Sequence, residues 1–407
     1  MLIITAPGQG AQTPGFLAPW LELPGVADRL GAASELAGCD LIKFGTTASA
    51  DEIRDTAVAQ PLLLGAALIA AGELAGGELA GAGGPREALA DVAAGHSVGE
   101  LAAGVIANVL AADDAMRLVA VRATAMAEAS AAEPTGMTAV LGGDQDAVLA
   151  AIARCGLTPA NVNGAGQIVA AGSLADLEAF AADPPAGTRL RPLQVAGAFH
   201  TRYMAPAVAA LRAAAAGVTV EDPAITLLSD ADGAAVTTGK EWLERLVAQV
   251  ATPVRWDMCM GTMTDLGVTA IIELPPAGTL TGLARRALPG VAQLALKTPD
   301  RLDAARDLIE EHLSASVSHQ GHSHTPEWRL IVAPTSGRFR SAAKNAGTTL
   351  AGATIGHTAE LGTVVARGGE HPVTAPWPAE IIEWLVEDGD PVGEGQPLVR
   401  VQPKEGA

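Results

Sequence analysis

The chain has 407 residues and a formal net charge of −19. This length predicts two or three domains with a sizeable core, and the acidic charge without an evident basic patch excludes a nucleic-acid-binding function. The three cysteines, Cys39, Cys155 and Cys259, lie far apart and form no CxxC pair, so the sequence predicts neither a zinc site nor a disulfide framework.

The first predicted element is a strand over residues 2–6. No positively charged segment precedes it, so we predict no signal peptide and expect a cytoplasmic enzyme. The longest apolar stretch, residues 61–75, is interrupted by Gly and Glu. This composition favours a buried helix over a membrane span.

Strand-like runs alternate with Ala-rich helical stretches over the first 300 residues. Strands are predicted at 2–6, 90–94, 225–229 and 270–274, and helices at 55–79 and 98–109. This order favours an α/β fold with a parallel sheet and helices on its faces. The stretch from about 126 to 192 has a strand–helix–strand–helix order, with helices at 145–154 and 174–182, which predicts a small inserted α+β subdomain.

The character of the chain changes beyond residue 300. A helix is predicted from 300 to about 313, and residues 314–327 form a Ser- and His-rich segment without periodicity, which is typical of a linker. Short β-like runs with frequent turns follow. We therefore predict three parts: an enzyme domain over 1–313, a linker over 314–327 and an all-β domain over 328–407.

The strongest motif is Gly95-His96-Ser97-Val98-Gly99, which lies between a predicted strand and a predicted helix. In that setting GxSxG is typical of a nucleophile elbow, in which a sharp turn exposes the serine hydroxyl. The amide of Val98 lies at a helix N-terminus and can donate to an oxyanion. The sequence therefore predicts acyl transfer through a serine ester on Ser97.

A serine hydroxyl needs a base to become an effective nucleophile. Four of the eight histidines lie in or near the predicted linker, two lie in the β domain, and His96 stands inside the elbow. The remaining one is His200, which is therefore the candidate base. A core histidine with satisfied hydrogen bonds is the alternative.

Five motifs in this order resemble the malonyl-CoA:acyl carrier protein transacylase family over roughly residues 1–300. They are Gly8-Gln9-Gly10-Ala11-Gln12, residues 95–100, residues 161–169, Ala198-Phe199-His200 and residues 249–256. The resemblance implies an α/β-hydrolase-like core with an inserted ferredoxin-like subdomain. It also implies malonyl-CoA as substrate, an acyl carrier protein as partner in fatty acid synthesis, and no cofactor, metal or membrane.

The resemblance assigns the catalytic roles. Ser97 matches the acylated nucleophile and His200 matches its base. Gln249 matches the residue that helps to orient the histidine, where many serine hydrolases have a carboxylate. The backbone amides of Gln9 and Val98 match the oxyanion hole.

The resemblance also assigns the substrate pocket. Arg122 matches the arginine that binds the malonyl carboxylate, for which a guanidinium fork provides charge-assisted hydrogen bonds. Met126, Asn163 and Phe199 match positions that line the same pocket. The Phe199-His200 pair fits selection of malonyl over methylmalonyl groups.

Residues 328–403 resemble a biotinyl/lipoyl carrier domain, chiefly through Val373-Thr374-Ala375-Pro376 and residues 383–398. The lysine that carries the cofactor in that family has no counterpart in residues 365–371. The domain's only lysines are Lys344 and Lys404, both elsewhere. We therefore expect no attached biotin or lipoate, and a degenerate carrier fold used for protein docking or oligomerisation.

Three alternatives stay open on the sequence. A serine thioesterase or hydrolase could use the same core, although Gln249 and Arg122 argue against it. An acyltransferase of a polyketide pathway would carry the same motifs. A non-catalytic interaction protein would fit the degenerate C-terminal domain but not the set of Ser97, His200 and Arg122.

Overall fold

The computed structural model describes residues 1–77, 88–195, 197–320, 329–342, 353–376 and 378–403. The chain forms two units, Met1–Ser314 and Ala315–Ala407. Residues 321–327 of the predicted linker, and both Lys344 and Lys404, lie outside the described residues.

The first unit is built on a six-stranded sheet. The strands of this unit are β1 Leu2–Ala6, β2 Val92–Gly95, β3 Thr135–Gly142, β4 Thr158–Gly164, β5 Gln167–Ser173, β6 Thr188–Pro192, β7 Thr226–Leu228, β8 Ala235–Val236, β9 Ala270–Glu273 and β10 Ala292–Ala295. The six strands lie in the order β10-β9-β1-β2-β7-β8 and run parallel except for the antiparallel pair β7 and β8. The carboxyl ends of β1, β2, β7 and β9 therefore share one edge, where ligands bind in open parallel sheets.

Helices cover both faces of this sheet. The described helices are α1 Val26–Ala37, α2 Leu41–Thr46, α3 Thr56–Leu74, α4 Gly99–Ile106, α5 Ala112–Ala132, α6 Gln145–Arg154, α7 Leu174–Ala182, α8 Ala205–Ala215, α9 Gly239–Gln249, α10 Trp256–Asp265, α11 Thr279–Ala287 and α12 Leu302–Gln320, of which α6 and α7 pack on the inserted sheet described below. Ile4 of β1 packs in the core with α3, α4 and α5, and its neighbour Ile3 packs in a second core with α10 and α11. This alternation follows from the pleat of a strand that is buried on both faces.

A second sheet is inserted between α5 and α8. Its strands lie in the order β4-β5-β3-β6, all neighbours are antiparallel, and α6 and α7 connect them in a β-α-β-β-α-β sequence. Its elements span residues 135–192, whereas Met126, near the predicted start, lies inside α5. The insertion has its own core, which includes Val140, Ile152 and Phe180.

Helix α3 is long and apolar enough to cross a membrane, and 78% of its most apolar window is buried inside the protein. Its position among α1, α2, α4 and α5 explains this composition, because a helix that is apolar all round has neighbours on every side. The predicted helix over 55–79 corresponds to α3, which ends at Leu74.

Helix α12 differs from the prediction at its end. The sequence suggested an end near residue 313, but the helix extends to Gln320. The first seven residues of the predicted linker are therefore helical. Ser and His have only modestly unfavourable helix propensities, so a preceding helix can continue through them.

The second unit consists of two four-stranded sheets. Its strands are β11 Arg329–Val332, β12 Gly337–Ser341, β13 Thr354–Ile355, β14 Glu360–Ala366, β15 Gly369–Thr374, β16 Ala379–Trp384, β17 Pro391–Val392 and β18 Pro397–Pro403. They form the sheets β11-β18-β16-β13 and β15-β14-β12-β17, with a core around Phe339, Val364 and Val399. The predicted β character of this region is confirmed.

Candidate active site

The nucleophile elbow lies at the carboxyl edge of the central sheet, where β2 ends and α4 begins. Ser97 has a φ of 53°. A Cβ atom on Gly95 would lie 2.0 Å from the carbonyl carbon of Gly99, and a Cβ on Gly99 would lie 2.2 Å from the carbonyl oxygen of Ala6. Glycine at both flanks is therefore a steric requirement of this turn.

His200 lies within hydrogen-bonding distance of the serine. Its Nε2 is 2.8 Å from Ser97 Oγ, and its Nδ1 is 2.9 Å from the backbone oxygen of Gln249. A carbonyl only accepts, so Nδ1 carries the proton and Nε2 presents its lone pair to the hydroxyl. Burial, and then the positive charge of Arg122, lower the pKa of His200 to about 3, so the imidazole is neutral at pH 7.

Arg122 of α5 is buried beside the serine, with 1% of its surface exposed. Its Nη1 donates to Gln60 Oε1 at 2.5 Å, and its Nη2 donates to Gln249 Oε1 at 2.8 Å and to Ser97 Oγ at 3.2 Å. Its Nε is buried with no hydrogen-bond partner. Burial lowers the pKa of Arg122 to about 10, which still leaves a cation at neutral pH.

Two buried carboxyl groups lie behind the elbow. Asp230, two residues after β7, accepts from the backbone N–H of Ser97 at 2.7 Å. Glu100, in the first turn of α4, accepts from the backbone N–H of Asp230 at 2.8 Å and from Gln249 Nε2 at 2.6 Å. Burial raises the pKa of both groups, that of Asp230 to about 7.

A cavity of about 80 Å³ opens onto the serine hydroxyl. Among the residues singled out from the sequence, it is lined by Gln9, Val98, Arg122, Met126 and Phe199 together with Ser97 and His200. A volume of this size suits a small acyl group. The side chain of Gln9 donates from its Nε2 to the carbonyl oxygen of Arg54 and to Thr56 Oγ1, both at 3.3 Å.

Asn163 lies elsewhere than the sequence suggested. Its Oδ1 is 2.9 Å from His96 Nε2, and it lines an adjoining cavity of about 500 Å³ instead of the cavity at the serine. Asn161, two residues earlier on β4, lines both cavities, and its Oδ1 is buried without a hydrogen-bond partner. One face of β4 therefore contributes both side chains, which follows from the period of two along a strand.

Gln249 contacts the histidine through its backbone and not through its amide. The side chain joins Arg122 to the two carboxyl groups. Gln60, Glu100 and Asp230 were not predicted as site residues from the sequence. A usable signal existed for Asp230, because a charged residue directly after a buried parallel strand faces the edge where ligands bind.

The acyl transferase domain family matches residues 7–300 of this chain. Malonyl CoA-acyl carrier protein transacylase of Mycobacterium tuberculosis is 54% identical over 311 residues, which cover 76% of this chain and 100% of that protein. Among solved structures, MCAT from Mycobacterium tuberculosis has a TM-score of 0.70 at 52% identity, covering 75% of this chain and 99% of that one.

A further solved structure contains a type II polyketide acyl carrier protein in complex with its malonyl-transacylase. It has a TM-score of 0.68 at 28% identity and covers 75% of this chain and 99% of that one. The predicted acyltransferase class and the α/β architecture with an additional β region are thereby confirmed. The chain belongs to the acyl transferase family and, within it, to the malonyl-CoA:acyl carrier protein transacylases.

Proposed function

We propose that this enzyme transfers a malonyl group from malonyl-CoA to the phosphopantetheine thiol of an acyl carrier protein through an ester on Ser97. The observation that carries this proposal is the buried Arg122 guanidinium, whose Nη2 lies 3.2 Å from Ser97 Oγ and whose Nε has no hydrogen-bond partner. A buried donor without a partner is costly, and a malonyl carboxylate would satisfy it with a charge-assisted hydrogen bond. An acetyl group would leave it unsatisfied.

In the first half-reaction, Ser97 Oγ attacks the thioester carbonyl while His200 Nε2 takes the hydroxyl proton. The amides of Gln9 and Val98, which line the same cavity, stabilise the oxyanion. The carbon–sulfur bond then breaks, and His200 returns the proton to the departing CoA thiolate. The products are malonyl-Ser97 and free CoA.

In the second half-reaction, the phosphopantetheine thiol of the carrier protein gives its proton to His200 and attacks the ester. Ser97 leaves as the alkoxide and recovers that proton. The partner proposal is supported by the solved complex of a related transacylase with its polyketide acyl carrier protein. We further propose a cytoplasmic location and a role in fatty acid synthesis, with a polyketide carrier as the alternative partner.

A transfer assay tests this function. Wild-type enzyme, malonyl-CoA and a holo fatty-acid acyl carrier protein should give malonyl-carrier product by mass spectrometry, and the apo carrier, which lacks the thiol, should give none. Ser97→Ala should give no product. Release of free malonate as the main product would support a thioesterase instead, and a large preference for a polyketide holo carrier would reassign the pathway.

The finer description of the fold is also a proposal. The parallel central sheet with a serine elbow after β2 supports an α/β-hydrolase-like core. The β-α-β-β-α-β order of the inserted sheet supports a ferredoxin-like subdomain. On this basis the domains would be an acyltransferase domain over 1–313, a linker over 314–327 and a β domain over 328–407.

We propose that the β domain is a biotinyl/lipoyl-like carrier fold that serves in protein docking without a cofactor. The resemblance implies that the cofactor lysine of that family would fall in the turn between β14 and β15, which in this chain contains Arg367 and Gly368. Mass spectrometry of full-length protein produced with active biotin and lipoate ligases should show no added cofactor. A biotinylated or lipoylated species would contradict the proposal.

A further inference from the structure

The Gln249 side chain is the junction between the positive and negative groups of the site. Its Nε2 lies 2.6 Å from Glu100 Oε2 and 2.9 Å from Asp230 Oδ2, and its Oε1 accepts from Arg122 Nη2 at 2.8 Å. A primary amide has one donor end and one acceptor end. The two carboxyl groups therefore dictate that the acceptor end faces Arg122.

The Asp230 carboxyl group and the Gln249 amide hold the backbone on the two sides of the nucleophile. Asp230 Oδ2 accepts the N–H of Ser97, and Gln249 Nε2 lies 3.2 Å from the carbonyl oxygen of Ser97. Ser97 has a positive φ, a conformation that is unfavourable for a non-glycine residue and persists only where its surroundings enforce it. These hydrogen bonds supply that constraint.

We propose that Glu100 and Asp230 are positioning residues for acyl selection: they fix the direction of the Gln249 amide, and through it hold the Arg122 guanidinium beside Ser97. The proposal rests on the proposed malonyl transfer and deepens it. Neither carboxyl lines the cavity at the serine, so neither touches the acyl group. Their effect on selectivity is transmitted by Gln249.

The charges of the cluster are consistent with this role. Arg122 is the cation that faces the pair, and His200 is neutral. Burial and the nearby Asp230 raise the pKa of Glu100, and burial raises that of Asp230 to about 7. The carboxyl oxygens accept from the amides of Gln249 and Ser97.

Asp230→Asn tests the proposal most directly. If the remaining oxygen stays on the Ser97 amide, the new NH2 group faces Gln249 Nε2, so only Glu100 still favours the native direction of the Gln249 amide. We expect the ratio of kcat/KM for Ser97 acylation by malonyl-CoA over acetyl-CoA to fall at least about fivefold. A purely structural defect would lower both values and leave their ratio unchanged.

Glu273→Gln is the matched control. Glu273 is fully buried and accepts four backbone amides between Gly278 and Thr281, with no contact to Gln249. Its substitution should lower the melting temperature and leave the selectivity ratio as in wild type. A ratio that falls equally in this control would overturn the assignment to the Glu100–Asp230 pair.

Glu100→Gln provides the second variant if Asp230→Asn does not fold. It leaves one acceptor oxygen for two donors, the Asp230 N–H and Gln249 Nε2, and the same fivefold threshold applies. A folded variant whose ratio falls by less overturns the proposal. If wild-type enzyme forms no malonyl adduct on Ser97, the proposed function itself is wrong. This result distinguishes its failure from a failure of the positioning role of Glu100 and Asp230.

Discussion

At the scale of single residues, the hydroxyl of Ser97 lies between a base and a cation. His200 Nε2 and Arg122 Nη2 are 2.8 Å and 3.2 Å from Ser97 Oγ. His200 must be neutral to act as a base, and Arg122 must be charged to bind a carboxylate. Burial keeps His200 neutral, and the high intrinsic pKa of a guanidinium keeps Arg122 charged.

Arg122→Ala should separate malonyl from acetyl transfer. Removal of a charge-assisted contact worth about 1.5–3 kcal/mol predicts a roughly 10- to 100-fold lower kcat/KM for malonyl-CoA. Acetyl-CoA should lose much less, because it never used the cation. Arg122→Lys keeps the charge without the fork and should lie between the two. Equal losses for both substrates in steady-state assays would refute this role of Arg122.

The pH dependence of acylation tests the environment of His200. The neutral form is the base, and its lowered pKa keeps it neutral as the pH falls. We expect the acylation rate, measured by quenched flow, to change less than about twofold between pH 8 and pH 5. A histidine with an ordinary pKa of about 6.5 would lose roughly 30-fold at pH 5. Because burial raises the pKa of Asp230 to about 7, the profile is also measured for Asp230→Asn, and an inflection near 6.5 that persists in this variant would mean that the imidazole is solvated.

Ser97 and His200 could be predicted from sequence because a motif and elimination single them out, and Arg122 followed from the family resemblance. Glu100 and Asp230 escaped because their function depends on contacts between residues 130 positions apart. Asn161 and Asn163 share one face of β4, and their positions along the strand decide that Asn161 lines the cavity at the serine while Asn163 lines only the adjoining one. Such contacts depend on tertiary packing, so the sequence around each residue does not reveal them.

At the scale of elements, the elbow is a strand–turn–helix unit. Neighbouring backbone atoms lie so close to Gly95 and Gly99 that neither position has room for a side chain. The close contact of Gly99 with the carbonyl oxygen of Ala6 joins α4 to β1 as well as to β2. The turn geometry therefore depends on two strands of the sheet. Sequence could predict the unit from its glycines but not this second strand contact.

Gly99→Ala should be strongly destabilising. The new Cβ would lie 2.2 Å from a backbone oxygen, so the sheet or the helix must shift, and we expect a loss above about 2 kcal/mol in the free energy of unfolding. Gly282→Ala in α11 is the control, because its Cβ would meet no atom within 4 Å. It should be neutral or stabilising by up to about 1 kcal/mol. Equal denaturation midpoints would contradict the steric account.

Element boundaries were predicted well where amphipathic helices are short and capped. Helices α6 and α7 have the predicted bounds, and Asp144 and Ser173 cap their first turns with side-chain hydrogen bonds. The predicted end of α12 near residue 313 was wrong. Its Ser- and His-rich sequence contains neither a glycine nor a proline that would end the helix before Gln320.

At the scale of the whole molecule, the two units have separate hydrophobic cores. Three clusters lie in the first unit and one lies in the second. Each unit can therefore bury apolar surface by itself, which is the usual criterion for a domain. The active-site residues all lie in the first.

A truncated protein ending at Gln320 should fold and form the malonyl adduct at the wild-type rate. The cut follows α12 and removes no strand of the central sheet. Circular dichroism and quenched-flow acylation are the measurements. A folded fragment with a tenfold lower acylation rate would show that the β domain contributes to the first half-reaction. Its proposed role in protein docking does not predict that contribution.

The most direct test of the central claim is the intact mass of the full-length protein after brief incubation with equimolar malonyl-CoA and acetyl-CoA. The account predicts a malonyl adduct that peptide mapping places on Ser97, little acetyl adduct, and no adduct on Ser97→Ala. Equal malonyl and acetyl loading, or an adduct that persists in Ser97→Ala, would contradict a serine carrier selected by Arg122.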